Sequence, residues 1–463
     1  MRILSFSVRN HRSFRDDFFL DLTRNELRTN LPPEGSTWRD MLFPVAGIFG
    51  ANASGKTSMI RAFHFLRTAV ALSSTRWMES DTMVRDPFRL DPDSTQGLSS
   101  YELDFILDIP AGFSELSAGE HRFVYQFTID RQGVVAENLV VYRTSRPTNI
   151  INRLREDKKR RVRLGLRLGQ IEVSDRELAL SRALHMDKEL LTFIGEEMLQ
   201  TLTVYDVGDK AQEWRLSRIA DELASGELKL EDLELLARVA DVGISKIFVE
   251  EEEIPEPIRE LISHLNREAS EGEDEETKEV DVEPTKIDIT EEMMVRSLRF
   301  QHEADEVASE AFSLADESSG TRAWLALAVD VVKTLRNGGL LCVDELDTSL
   351  HPYLAALIIS LFQSEETNRR GAQLIFTSHD VSLLSPQHEL NLERKQIWYV
   401  EKERSGASEL YSLDDFTDVK PGSNVSKQYL EGRFGAVPRL APALLGRLLN
   451  DTFPDPSDVS TRG

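Results

Sequence analysis

The chain of 463 residues contains a single cysteine, Cys342, which excludes an internal disulfide and a zinc site built from several thiolates. It also lacks any apolar run approaching the ~20 residues that a membrane-spanning helix requires. The first ten residues turn polar before the apolar stretch of a secretory leader could form. Together these absences predict a cytoplasmic protein with no membrane partner.

Basic residues are also in short supply, because 55 Lys and Arg face 80 Asp and Glu and give a formal charge of −25. Such an acidic excess argues against a surface that coats nucleic acid non-specifically. The segment 153–167 is a local exception, since Lys and Arg dominate it. A solvated charge run explains this segment most simply, and a nucleic acid backbone or an acidic protein surface are both open as its partner.

The hydrophobic pattern predicts an α/β protein interrupted by an insertion. Residues 1–145 contain alternating strand patterns, a buried strand ending at Phe49 and a helix from Ser58, which predict a mixed sheet with flanking helices beside an antiparallel β subdomain. Residues 146–295 are predicted to form a mainly helical insertion, which ends in an acidic flexible linker near 268–290. The α/β pattern returns over 296–440, and 441–463 is predicted to be a tail.

A phosphate-binding loop is the most specific motif. Gly-Ala-Asn-Ala-Ser-Gly-Lys-Thr fits G-x-x-x-x-G-K-[ST], directly after a buried strand and before a helix. The glycines allow backbone N–H groups to surround a phosphate, Lys56 should reach the β and γ phosphates of ATP, and Thr57 should ligate Mg²⁺. The predicted nucleotide-binding residues here are Gly50, Ala51, Asn52, Ala53, Ser54, Gly55, Lys56, Thr57 and Ser58.

Two later strands end in polar residues. The apolar strand before Asp344 and Glu345 should place both acids at the carboxyl edge of a parallel sheet, beside the phosphate loop. Asp344 is then predicted to hold Mg²⁺, and Glu345 to accept a proton from the attacking water. His379 follows a further buried strand, where it could sense a γ-phosphate or serve as an ordinary capping or solvated residue.

A helix pattern that opens with Ser318, Ser319 and Gly320 forms a second anion-binding terminus, although a plain helix N-cap explains these residues by themselves.

The order of all these parts resembles the ABC-class ATPases. Val8-Arg-Asn-His-Arg-Ser-Phe and Asp-Glu-Leu-Asp-Thr-Ser-Leu-His-Pro are similar to the RecF/SMC/OLD-like branch of that class. Segments 299–302, 396–402 and 429–438 resemble stand-alone bacterial defence ATPases of the RloA, AbiLi and PARIS AriA type.

The resemblance implies a P-loop ABC-type ATPase head in which two copies of the chain enclose Mg-ATP. Lys56, Glu345 and His379 would be catalytic, the last as a switch histidine. The resemblance places four residues toward the nucleotide of a second copy: Ser318, Ser319, Gly320 and Asp347. It places two N-terminal residues, Arg12 and Ser13, near the nucleotide. The coupling glutamine of the class has no recognisable position, since Gln96 and Gln126 are both candidates.

The motifs predict an ATP-hydrolysing homodimer or higher oligomer. The resemblance further implies that it regulates a separate effector of Toprim or nuclease type, in antiphage defence or abortive infection. A DNA-repair ATPase of RecF type that clamps DNA is one alternative. A scaffold that holds ATP with negligible turnover is another. Residues 146–295 show no sustained heptads, which favours a compact lid over a coiled-coil arm.

Overall fold

The contacts of the chain divide it into two units. The first comprises Met1–Tyr205, Thr334–Asp347 and Ala355–Gly463, and the second comprises Asp206–Lys333 and Thr348–Leu354. The predicted acidic linker near 268–290 and the predicted tail 441–463 lie outside the described residues. The computed structural model describes residues 1–24, 30–157, 161–186, 188–205, 209–240, 243–253, 294–302, 311–348, 350–385, 390, 392–420 and 422–437.

An antiparallel sheet of six strands occupies one part of the first unit, in the order β2-β1-β4-β5-β6-β7. Alternating side chains explain its strands: in β1 the apolar Ile3, Phe6 and Val8 are buried while Arg9 is exposed. The predicted antiparallel β subdomain is therefore confirmed. Its strands are β1 Arg2–Arg9, β2 Phe18–Asp21, β4 Ser99–Ile109, β5 Gly119–Asp130, β6 Gly133–Tyr142 and β7 Pro147–Leu154. The short strands β8 Arg161–Arg163 and β9 Gln170–Glu172 form a separate antiparallel pair.

A second six-stranded sheet carries the motifs, in the order β10-β14-β15-β3-β16-β17. All neighbours are parallel except β16 and β17, which pair antiparallel. Strands β3, β14 and β15 are buried along their whole length, as expected for parallel strands covered on both faces. The strands are β3 Val45–Phe49, β10 Leu202–Tyr205, β14 Leu340–Val343, β15 Gln373–Ser378, β16 Ile397–Lys402 and β17 Ser408–Ser412.

Helices complete the first unit. Helix α1 begins at Lys56 and buries Met59, Phe63, Leu66 and Val70 at helical spacing in the main hydrophobic core. None of the helices within the described ranges is both long and apolar enough to cross a bilayer. The helices of the chain that are described are α1 Lys56–Leu72, α2 Pro92–Gln96, α3 Ala179–Ala183, α4 Glu189–Thr201, α5 Asp209–Ser225, α6 Leu230–Val239, α7 Ser319–Asn337, α8 Pro352–Gln363 and α9 Val425–Leu430.

The second unit combines helices with a long antiparallel strand pair. Strand β11 Ile244–Glu253 pairs with β12 Met294–His302, which also pairs with the short β13 Phe312–Ser313. Ion pairs from Arg215 to Asp330 and from Lys333 to Glu222 connect α5 with α7. The sequence predicted a mainly helical insertion, and the described part of this unit contains substantial β structure as well.

The structure also differs from the predicted start of the insertion at residue 146. Residues up to Tyr205 belong to the first unit, because β10 pairs in parallel with β14 in the core sheet. Residues 296–333, predicted to belong to the second ATPase lobe, group with the second unit. A four-residue strand that continues directly from a helix has no periodicity of its own, so only its pairing partner reveals it.

The basic segment contributes partly to the core. Arg153 is 8% exposed, and its guanidinium donates hydrogen bonds to the carbonyl oxygens of Glu177 and Ser174. Arg155 forms a two-pronged ion pair with Asp130, at 2.6 and 2.8 Å. These two arginines therefore contribute to the fold through contacts within the chain.

Candidate functional site

The phosphate-binding loop connects β3 with α1, as the motif predicted. A Cβ atom at Gly50 would lie 2.4 Å from the carbonyl oxygen of Val400, so only glycine fits at this point. Gly55 has a φ of 118° and Ala53 a φ of 60°, which turn the backbone sharply before the helix. This arrangement directs the first turn of α1 toward the concave side of the loop, where backbone N–H groups bind anions.

Lys56 is buried inside this loop, with 5% of its surface exposed. Its ammonium group donates hydrogen bonds to the carbonyl oxygens of Gly50, at 2.8 Å, and Ala51, at 3.1 Å. Burial lowers the pKa of Lys56 from its usual value, and the carboxylates of Glu345, Asp344 and Asp347 oppose that shift. The Lys56 ammonium group therefore lies inside the loop, near carboxylates that follow strand β14.

Those carboxylates lie in the turn after β14. Asp344 is 8% exposed and accepts a 2.6 Å hydrogen bond from the hydroxyl of Thr377 on the neighbouring β15. The backbone N–H of Glu345 donates to the same hydroxyl oxygen at 2.7 Å. Glu345 has a φ of 50°, a left-handed conformation that costs energy for a residue with a Cβ and is concentrated at functional sites.

His379 lies directly beyond the end of β15. Its Nδ1 atom is 3.0 Å from a carboxylate oxygen of Asp347, whose side chain is only 5% exposed, whereas half of the His379 ring is exposed. A role for Asp347 at the nucleotide of a second copy would require its carboxylate to leave this contact within its own chain.

The N-terminal residues reach the site through Ser13. The Ser13 backbone carbonyl accepts a hydrogen bond from the N–H of Ser408, and the Ser408 hydroxyl donates to the carbonyl of Ser54 at 2.5 Å. Arg12 is directed elsewhere, since its guanidinium pairs with Asp86 at 3.2 Å. Of the two predicted N-terminal residues, only Ser13 is brought to the phosphate loop.

These parts surround one cavity of about 440 Å³, with all of its walls in the first unit. Its position at the carboxyl edge of the parallel sheet is the usual ligand position in such folds. Asp344 borders the same turn, but its carboxylate is turned toward Thr377. The residues that line the cavity are Ser13, Asn52, Ala53, Ser54, Gly55, Lys56, Thr57, Ser58, Glu345, His379 and Lys402.

The cavity suits a nucleoside triphosphate with Mg²⁺. The hydroxyl oxygens of Ser13 and Ser54 are buried without a hydrogen-bond partner in the protein, which a bound phosphate would supply. In the part of the chain that the structure describes, no group of three or more His, Cys, Asp or Glu side chains forms a closed metal site. Mg²⁺ ordinarily takes one or two protein ligands together with waters and substrate phosphates, so Thr57 and Asp344 fit it.

A comparison with protein families shows the family of the chain. The sequence profile of the family described as "AAA domain, putative AbiEii toxin, Type IV TA system" matches residues 45–385. The chain belongs to this AAA family. The match runs from β3 to beyond His379, so it includes all of the cavity-lining residues except Ser13 and Lys402. A comparison with curated proteins gave no match.

Solved structures similar to this AAA protein include heads of SMC proteins. The SMC head domain from Thermotoga maritima is 12% identical, with a TM-score of 0.35, over 89% of this chain and 99% of that one. An SmcHead bound to the C-winged helix domain of ScpA is 10% identical, with a TM-score of 0.35, over 89% and 97% of the two chains. An Smc head from Pyrococcus furiosus with an extended coiled coil, bound to a C-terminal domain of ScpA, is 11% identical, with a TM-score of 0.34, over 89% and 96%.

The predicted signature residues belong to the second unit. Ser318 caps helix α7, because its hydroxyl accepts the backbone N–H of Thr321 at 3.1 Å. Ser318 and Ser319 are exposed, and Gly320 is half-buried. The preceding Glu317 contacts His302 of β12 at 2.6 Å, so the end of the segment 299–302 lies beside the start of α7.

Three residues that line or support the cavity were not predicted from the sequence. Lys402 lines the cavity from the end of β16, Ser408 holds the phosphate loop, and Thr377 holds the Asp344–Glu345 turn. Lys402 ends a segment that already carried part of the family resemblance, whereas Thr377 and Ser408 have no signal apart from tertiary contacts. The coupling-glutamine candidates Gln96 and Gln126 are exposed and do not line the cavity.

Proposed function

We propose that this AAA protein is an Mg²⁺-dependent ATPase that associates with a second copy of itself around ATP and thereby controls a separate effector protein. The observation that carries the proposal is the cavity in which the phosphate loop, Glu345 and His379 meet at one edge of the parallel sheet. Each of these parts follows a different strand, and their convergence supplies the groups that phosphoryl transfer to water needs.

The side chains would divide the work as follows. Lys56 holds the β and γ phosphates and neutralises charge that develops on them. Glu345 orients a water molecule from its position in the cavity wall and accepts the proton of that water. His379 binds the γ-phosphate from the opposite wall, with its ring oriented by Asp347. Thr57, with Asp344 nearby, would hold Mg²⁺, which would neutralise charge on the phosphate oxygens.

Self-association is supported by the exposure of the signature residues. Ser318 and Ser319 are exposed at the start of α7, a 19-residue helix whose N-terminus favours anions. In the proposed complex these residues contact the γ-phosphate that a second copy binds. Substitution of Ser319 by Arg should therefore block ATP-dependent association, measured by light scattering, while the monomer still binds ATP through its own loop.

The biological context of the proposal comes from the family description, which names a toxin of a toxin–antitoxin system. Within that context we place the chain in bacterial defence, near ATPases of the RloA, AbiLi and PARIS AriA type, with an effector of Toprim or nuclease type encoded separately. ATP-driven association would change the surface that the second unit presents to this effector. Co-purification with the product of the adjacent reading frame, dependent on ATP, tests this part.

Steady-state ATP hydrolysis tests the enzymatic part. Lys56→Ala should abolish nucleotide binding, and retained binding would refute the assignment of the site. Glu345→Gln should lose turnover while it keeps ATP-dependent association, because Gln preserves shape but cannot accept a proton. A wild-type protein that binds ATP and associates without turnover would favour the scaffold instead. Turnover that duplex DNA stimulates, with binding that weakens steeply as salt rises, would favour a DNA-repair ATPase.

A further inference from the structure

The end of strand β15 holds the turn that carries both acids. Strand β14 ends at Val343, which pairs with Phe376, so Thr377 and Ser378 of β15 extend past it. The turn 344–347 lies alongside these extra residues. Leu346 donates its backbone N–H to the carbonyl oxygen of Thr377 at 2.9 Å, and Asp347 contacts His379.

The hydroxyl of Thr377 occupies the centre of this contact. It donates to the carboxylate of Asp344 at 2.6 Å and accepts the N–H of Glu345 at 2.7 Å, and the residue is fully buried. One hydroxyl therefore fixes the direction of a carboxylate and the backbone position of the next residue. A threonine in the interior of a buried strand is unusual unless its hydroxyl has such partners.

We infer that Thr377 is a positioning residue for the proposed ATPase reaction: its hydroxyl fixes the carboxylate of Asp344, the proposed Mg²⁺ ligand, and holds the backbone of Glu345 in its left-handed conformation. Thr377 does not line the cavity, so it acts through these two residues and not on the nucleotide. The inference rests on the proposed function for its effect on turnover, but its effect on Mg²⁺ binding is independent of hydrolysis.

The main test is Thr377→Val, which keeps the shape of the side chain and removes the hydroxyl. We expect the turnover number to fall about tenfold or more, as for the loss of one hydrogen bond to a charged group. The Mg²⁺ concentration that half-saturates nucleotide binding should rise severalfold. Nucleotide affinity without Mg²⁺ should stay within about twofold of wild type, because the contacts of Lys56 are untouched.

Two further variants separate positioning from packing. Thr377→Ser keeps the hydroxyl and should retain turnover within about threefold of wild type, so it rescues the function that valine removes. Thr334→Val removes another buried threonine hydroxyl, on α7, and should leave the Mg²⁺ dependence unchanged. Thermal unfolding of each variant shows whether the fold survives, and Thr377→Ala replaces the valine variant if that protein does not fold.

Unchanged turnover and unchanged Mg²⁺ dependence in Thr377→Val would overturn the inference. An equal loss in Thr377→Ser would overturn it too, since the methyl group and not the hydroxyl would then matter. If wild type shows no turnover, the proposed hydrolysis fails on its own. The Mg²⁺ titration of nucleotide binding then decides the inference, which requires the shift in the valine variant and its absence in the serine variant.

Discussion

Gly55 occupies the most crowded position of the phosphate loop, and its substitution by alanine gives a sharp test of the site. A Cβ atom there would lie 2.3 Å from the hydroxyl oxygen of Ser408 and 2.6 Å from that of Ser13. It would also lie 2.9 Å from the Ser408 Cβ, so rotation of the serine hydroxyl cannot relieve the clash. The backbone is unfavourable as well, with φ 118° and ψ 8°.

Both effects contribute to the expected loss of stability. A backbone conformation that residues with a Cβ rarely adopt costs about 1–3 kcal/mol. Overpacking of a close-packed region adds about 1–3 kcal/mol. We therefore expect Gly55→Ala to lower the free energy of unfolding by roughly 2–6 kcal/mol in denaturant titrations, and to weaken nucleotide binding because the loop must shift.

Gly119 provides a matched control. Its φ of 120° is nearly that of Gly55, but nothing lies within 4 Å of a Cβ built there. Gly119→Ala should therefore report the backbone cost alone, about 1–3 kcal/mol, with nucleotide binding unchanged. The double variant Gly55→Ala/Ser408→Ala should couple, because the second change removes the nearest atom. If Gly55→Ala costs no more than Gly119→Ala, the packing of the loop against Ser408 and Ser13 is refuted.

Two pH-dependent outcomes follow from ion pairs and burial. Burial lowers the pKa of Lys56 from 10.5, and only the charged form of Lys56 binds phosphate. Nucleotide affinity should therefore fall as pH rises, with the fall beginning below pH 10.5. Calorimetric titrations across alkaline pH check this, and an affinity that does not change with pH contradicts it. The Arg155 guanidinium donates hydrogen bonds to Asp130 and lowers the pKa of the Asp130 carboxyl below 3.8. The pair therefore stabilises the folded state above pH 3.8, and this contribution is lost as pH falls through the lowered pKa. Arg155→Met should cost about 1 kcal/mol at pH 7 in denaturant titrations, with a difference from wild type that shrinks below pH 3.8; a difference independent of pH would refute the pair.

Much of the fold could be predicted from local patterns. Strand β1 alternates at period two, and α1 repeats its apolar residues at helical spacing, so each element shows its own period. Strand β10 has no such signal: Leu-Thr-Val-Tyr follows a helix directly and is recognisable only through its pairing with β14. The division of the chain into units depended on that pairing, and the boundary predicted at residue 146 did not agree with it.

The candidate site shows the same contrast. Lys56 starts a helix, and Asp344 and His379 each directly follow a buried strand, so local sequence patterns predict all three. Thr377 and Ser408 act through contacts with residues far away in the chain, at 33 and 354 positions. Periodicity and motif spacing carry no information about such distant partners, so these two residues were missed.

The sequence by itself predicted the groups of the proposed ATPase site, because a phosphate-loop motif, an acid pair after an apolar strand and a strand-end histidine are each encoded in a few adjacent residues. Only the tertiary structure decided how those groups are held. The direction of the Asp344 carboxylate, the contact of Asp347 with His379 and the turning away of Arg12 toward Asp86 depend on side chains brought together by strand pairing. Each of these contacts joins residues that are far apart in the chain, so no local sequence pattern encodes it.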